Sequence, residues 1–95
     1  MDSEFDLPQE IPIDGILDLH TFAPRDVKEL VPVYLEECLA ADVLDVRIIH
    51  GKGQGVLREI VQGILKKHPA VVSFGHPNDG SAWGATVVRL AHPED

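Results

Sequence analysis

The chain is poor in the residue types that build disulfide-linked, zinc-binding and membrane-spanning proteins. Its 95 residues include one cysteine, Cys38, so no internal disulfide can form. Five histidines are present, but none has HExxH or paired-cysteine spacing, and no structural zinc site is expected. No run approaches the roughly 18 consecutive apolar residues of a membrane span, so a membrane is not an expected partner. The N-terminus is acidic, without the basic start of a signal peptide, and a cytoplasmic location fits. Basic residues are scarce, eight against sixteen acids, for a net charge of −8. Such a surplus opposes tight, charge-driven nucleic-acid binding.

The charge is unevenly spread. Residues 1–14 carry Asp2, Glu4, Asp6, Glu10 and Asp14 with no Lys or Arg, and residues 94–95 add two more acids. The stretch 15–93 therefore holds nine acids against all eight bases and is almost neutral. A local basic edge is compatible with that balance, and any nucleic-acid binding through it is expected to be weak and salt-sensitive. The length suits one small domain. Residues 1–14, with Pro8 and Pro12, read as a flexible acidic arm, 15–92 as the domain and 93–95 as a tail.

Six elements can be read from the hydrophobic spacing. Residues 15–20 form a strand, with Leu17 and Leu19 on one face and Asp18 and His20 on the other. Residues 24–41 form a helix whose apolar stripe is Val27, Leu30, Val31, Tyr34, Leu35, Cys38 and Leu39. Cys38 on that stripe reads as a small buried hydrophobe. Pro24 suits the first turn, whereas Pro32 should kink or delay the helix. A second strand spans 45–50 and a second helix 56–67, with Val56, Leu57, Ile60, Val61, Ile64 and Leu65 inward. Lys66, Lys67 and His68 suit its C-terminal dipole, and Pro69 stops it. Strands at 70–74 and 85–90 follow, separated by the turn-rich loop 75–84. The order βαβαββ implies an α/β two-layer sandwich: a four-stranded mixed sheet with two helices on one face.

Two short segments carry the chemistry. Asp18 and His20 close the first strand, and His50 closes the second; strand ends of open α/β sheets are where ligands bind. Two imidazoles near one phosphodiester could serve as base and acid, with Asp18 orienting His20 or binding a metal. The loop Gly51-Lys52-Gly53-Gln54-Gly55 lacks the P-loop pattern and a full dinucleotide fingerprint. It is a glycine-rich turn feeding a helix N-terminus, where free N–H groups favour an anion and Lys52 adds charge. Trp83, the only tryptophan, could stack on a base or pack over the sheet edge. Arg47 and Arg89 alternate away from the apolar sets, and His68, His76 and His92 read as surface or turn residues.

Three segments, in order, resemble the Smr (small MutS-related) domain: Leu-Asp-Leu-His at 17–20, His-Gly-Lys-Gly-Gln-Gly with Val-Leu-Arg at 50–58, and Gly-Ala-Thr-Val-Val at 84–88. The chain is identified on these as a member of that family, read as a standalone domain. The resemblance implies a fold similar to the C-terminal domain of translation initiation factor three. It also implies nucleic-acid binding and endonuclease activity on DNA or RNA, with links to DNA repair, recombination or RNA processing. The combined reading assigns catalysis to Asp18, His20 and His50. It assigns phosphate or nucleic-acid contact to Gly51, Lys52, Gly53, Gly55, Arg58, Trp83, Gly84 and Thr86. No cofactor is required, although Mg²⁺ or Mn²⁺ held by Asp18 and phosphate oxygens is compatible with the site. Two departures stand out. Thr21 replaces the family's usual glycine, so the turn after the first strand must avoid positive φ. Trp83 interrupts the glycine pair before the last strand. The alternative function is a non-catalytic module binding nucleic acid or protein, or an adaptor that uses the acidic arm.

Overall fold

In the computed structural model, residues 11–51, 55–77 and 84–93 are described. The element order is β1 (Ile16–Asp18), α1 (Pro24–Ala40), β2 (Asp45–Ile49), α2 (Val56–Lys67), β3 (Val71–Gly75) and β4 (Ala85–Leu90). The sheet order is β1-β2-β4-β3. β1 runs parallel to β2, and β4 runs antiparallel to both β2 and β3. The expected βαβαββ mixed sheet is present. β4 lies between β2 and β3, so these two share a direction without touching.

Both helices cover one face of the sheet. Leu17 and Leu19, Val46 and Ile48, and Val88 and Leu90 meet the α1 stripe and Val61 and Leu65 of α2 in one continuous core. All seven stripe residues of α1 are buried, Cys38 among them. Burial pushes the Cys38 thiol upward, so it is a poor nucleophile. Ile11 and Ile13 also pack against this core, so the packed unit takes in part of the stretch read as an arm.

The first strand is shorter than its 15–20 pattern. Gly15 has φ +92°, outside the strand region, and an N–H bond from Phe22 to the Leu19 carbonyl closes a turn over His20 and Thr21. Among the described residues Asp42 is the only non-glycine with positive φ, so the turn accommodates Thr21 without it. α1 runs unbroken through Pro32. A proline there costs about 3 kcal/mol, whereas each fully buried aliphatic side chain contributes about 1.5–3 kcal/mol. Seven stripe residues outweigh one lost hydrogen bond.

One inward and one outward assignment need correction. Val56 is 51% exposed, because it lies at the first position of α2, just beyond the edge of the stripe formed by Leu57, Ile60, Val61, Ile64 and Leu65. His68 is no surface residue, since its side chain is 8% exposed. Its Nδ1 accepts the Ala70 N–H at 3.1 Å, and Nε2 reaches Glu36 Oε2 at 3.0 Å. The imidazole thereby joins the end of α2 to α1.

Gly15 is where α1 grips the sheet. Its N–H donates to the buried Tyr34 hydroxyl at 3.0 Å, and its carbonyl accepts from Arg47 N at 2.6 Å. A Cβ at this position would lie 2.8 Å from the Asp45 carbonyl oxygen. Burial raises the Tyr34 hydroxyl far above its ordinary value, so the phenol is neutral. Tyr34→Phe leaves the Gly15 N–H without its partner and should cost about 1–3 kcal/mol. Gly15→Ala adds backbone strain to a clash and should cost about 2 kcal/mol or more. Urea unfolding at neutral pH checks both; wild-type stability in both variants would contradict the coupling.

Candidate nucleic-acid site at the sheet edge

β1 and β2 are parallel neighbours, with Asp18 opposite Ile49. Their C-terminal ends therefore lie side by side and bring the first two motifs to one edge. The pleat then divides the two histidines. Asp18 and His20 fall on the face opposite Leu17 and Leu19, which the helices leave open. His50 continues the parity of Val46 and Ile48 and turns toward the helix-covered side. The edge is shared, but the faces differ.

Asp18 and His20 form a local dyad. One carboxylate oxygen, Oδ1, accepts from the His20 backbone N at 3.0 Å and lies 2.6 Å from His20 Nδ1. A carboxylate only accepts, so Nδ1 carries the proton. The two bonds from His20 hold the Asp18 carboxyl below the usual carboxylate range. The side chains are 65% and 49% exposed for His20 and Asp18 respectively. Nε2 is the ring atom that Asp18 leaves available for a proton-transfer role.

His50 is placed very differently. It is 5% exposed. Nε2 lies 2.9 Å from Thr86 Oγ1, and Nδ1 lies 3.1 Å from the Gly51 carbonyl. The carbonyl can only accept, so Nδ1 donates to it and Nε2 accepts the Thr86 hydroxyl proton. Burial lowers the His50 pKa, the Gly51 bond opposes this in part, and the neighbouring Arg58 and His76 side chains lower it further. His76, read from sequence as an ordinary turn residue, thus belongs to the electrostatic surroundings of His50. No motif marked it, because the proximity arises only when β4, pairing with both strands, brings the C-terminal ends of β2 and β3 to the same edge of the sheet.

The backbone closes the same corner. The Gly84 carbonyl accepts N–H bonds from both His50 (3.0 Å) and Gly51 (2.9 Å). Gly51 and Gly55 have φ of +84° and +86°, a conformation that disfavours any side chain. Gly55 is the N-cap of α2 and offers no side-chain cap, leaving the first N–H groups of the helix to other acceptors. A Cβ on Gly55 would lie 3.7 Å from an Arg58 guanidinium nitrogen, so Arg58 sits at the mouth of this turn. Thr86, expected as a phosphate contact, is 0% exposed, and its hydroxyl is engaged with His50. Lys52, Gly53 and Trp83 lie outside the described residues. Among the described residues no three His, Cys, Asp or Glu side chains converge on a point. A divalent ion here would draw on Asp18 together with phosphate oxygens and water.

The buried His50 sets a pH dependence. Its folded-state pKa lies below the unfolded value near 6.5, so the unfolded chain binds the proton more readily. The contribution to stability is complete above pH 6.5 and is lost as the pH falls from there toward the lowered folded pKa. Unfolding free energies at pH 7.5 and 5.5 should therefore differ more for the wild type than for His50→Gln. Equal differences would remove this role.

Known proteins match this arrangement. The Smr domain family matches residues 17–91. Endonuclease MutS2 of Caldicellulosiruptor bescii is 39% identical over 79 residues, covering 82% of this chain. Its Geobacillus kaustophilus counterpart is 43% identical over 76 residues, covering 78% of this chain. The chain spans only 10% of the length of either relative. The crystal structure of the Smr domain of Thermus thermophilus MutS2 superposes with a TM-score of 0.76 at 32% identity, covering 82% of this chain and 99% of that one. YdaL, a stand-alone small MutS-related protein from Escherichia coli, shares the fold with the same TM-score of 0.76 at 24% identity, covering 85% of this chain and 67% of that one. With three motifs converging on one sheet edge and the match running from the first strand past the last, the chain belongs to the Smr domain family.

Proposed function

We propose that this domain binds nucleic acid, DNA or RNA, and hydrolyses its phosphodiester bonds at the C-terminal edge of the sheet. The Asp18–His20 dyad carries this reading. A carboxylate that fixes one imidazole nitrogen and leaves the other in a largely exposed side chain is the arrangement a general base needs. His20 Nε2 takes a proton from the attacking water. The new phosphorus–oxygen bond forms, the bond to the leaving sugar oxygen breaks, and that oxygen takes a proton from solvent. The relatives named Endonuclease MutS2 support the same class of reaction, since their matching tenth is this domain.

His50 serves this reaction by position. With both ring nitrogens engaged, it holds the Gly51 turn against β4 instead of transferring a proton. The uncapped start of α2 and Arg58 then receive a phosphate beside the dyad. Lys52 and Gly53 belong to the same proposed cradle by motif. Mg²⁺ or Mn²⁺, bound by Asp18 and phosphate oxygens, would supply charge neutralisation at the scissile phosphate.

A non-catalytic binding module is the second reading, favoured by the acidic surplus over the whole chain. One assay separates the two. Labelled single-stranded, duplex and branched DNA and RNA are incubated with protein in Mg²⁺ or Mn²⁺ and resolved for both retardation and cleavage. Cleavage should fall at least about 100-fold in His20→Ala, the low end of a general acid–base contribution, with the melting temperature unchanged. Retarded complexes with no product from the wild type would establish the binding module in place of the nuclease. Neither retardation nor product would discard nucleic acid altogether.

A further inference from the structure

The helices leave one sheet face uncovered, and pairing arranges its side chains in rows across the strands. Asp18, Ile49 and Ala85 form the row nearest the proposed cutting site. Ile16, Arg47, Val87 and Gly75 form the next, and Asp45, Arg89 and Ser73 the third. The last two rows enclose a shallow depression of about 420 Å³, lined on this face by Asp45, Arg47, Ser73, Gly75, Val87 and Arg89. Its cause is local: Gly75 and Ser73 contribute little bulk beside Val87, while two arginines stand on either side. Arg89 Nη1 pairs with Asp45 Oδ1 at 2.8 Å, with both side chains more than half exposed. Exposed pairs of this kind are weak enough for a phosphate to compete.

We infer that this depression is a nucleobase subsite, and that the open face is the track for a single strand leading to the Asp18–His20 dyad. This rests on the function proposed above and adds the form of the substrate. A concave floor formed by Val87 and Gly75 between guanidinium groups suits one unstacked base, which arginine planes can cover while their charge meets the flanking phosphates. Among the described residues the same face carries no helix or ribbon standing proud of the sheet to enter a groove, so it suits unstacked bases better than a stacked duplex. Asp18 lies opposite Ile49, two residues beyond Arg47 on β2, which puts the subsite about 7 Å along the strand from the dyad's row. The dyad and the subsite therefore share one face and neighbouring rows, whereas His50 does not.

The test is fluorescence anisotropy at low salt with labelled single-stranded DNA and RNA of ten nucleotides and with a blunt duplex of the same sequence. Wild type should bind the single strand about tenfold more tightly than the duplex. Gly75→Val fills the depression; a Cβ there meets nothing within 4 Å, so the fold should tolerate it. Arg47→Gln keeps a polar, hydrogen-bonding side chain but removes the guanidinium and its charge. Each should weaken single-strand binding about tenfold and leave the melting temperature unchanged. Unchanged single-strand affinity in both folded variants, or preference for the duplex, would overturn the subsite while leaving the nuclease reading intact. Absence of binding by the wild type to any of these probes would overturn both.

Discussion

Covering a sheet on one face only imposes a single rule on β1, β2 and β4, from which β3 departs at the register shift between Val71 and Ser73. Each alternate residue must enter the core, and each residue between must face outward. Leu17, Leu19, Val46, Ile48, Val88 and Leu90 obey the first half, and Asp18, Arg47, Val87 and Arg89 the second. Because the side-chain period is two, a shift of one residue in any strand would send the core to solvent and the dyad inside. Register is thus enforced by burial worth about 1.5–3 kcal/mol per large aliphatic side chain. The geometry of the site comes with it.

The rule explains why two motif histidines have separate duties. His20 is two residues from Asp18 and outward, so a carboxylate can fix its ring while its surroundings stay wet. His50 is two residues from Ile48 and inward, so it must find partners within the fold. It finds the Thr86 hydroxyl on β4 and the Gly51 carbonyl, and no buried side-chain polar atom among the described residues lacks a partner. Burying an imidazole favours its neutral form, which is the form this bonding pattern uses. One residue type, placed on opposite faces, is a solvent-facing imidazole in one case and an internal strut in the other.

Among the described residues the positive-φ positions lie at the joints between elements. Gly15 takes φ +92° where Tyr34 and Asp45 close on it, and Gly51 and Gly55 take positive φ around the second motif. α1 ends with the N–H of Asp42 on the Leu39 carbonyl and that of Val43 on the Cys38 carbonyl. This is a Schellman close, here with Asp42 at φ +61° where glycine is usual. Asp42 gains an exposed partner in return, His92 Nε2 at 3.0 Å from its carboxylate. These joints hold the strand ends in step, and the site lies at those ends.

Hydrophobic spacing alone was enough to identify the six elements, the α1 stripe and the outward parity of Asp18 and His20, because amphipathic periods are local. The short sequence Asp-Leu-His even contains its own dyad, since the Asp18 carboxylate reaches the backbone and ring of His20 two residues on, where the chain turns out of β1. Sequence could not reveal that β4 enters the sheet between β2 and β3, which brings Thr86 and Gly84 to His50. Nor could it show that Thr86 is buried against His50, that His68 spans two helices, or that Val56 lies off the stripe. Those outcomes rest on contacts between residues dozens of positions apart. Such contacts exist only after the strands have paired and the helices have closed on one face, so tertiary structure alone decided them.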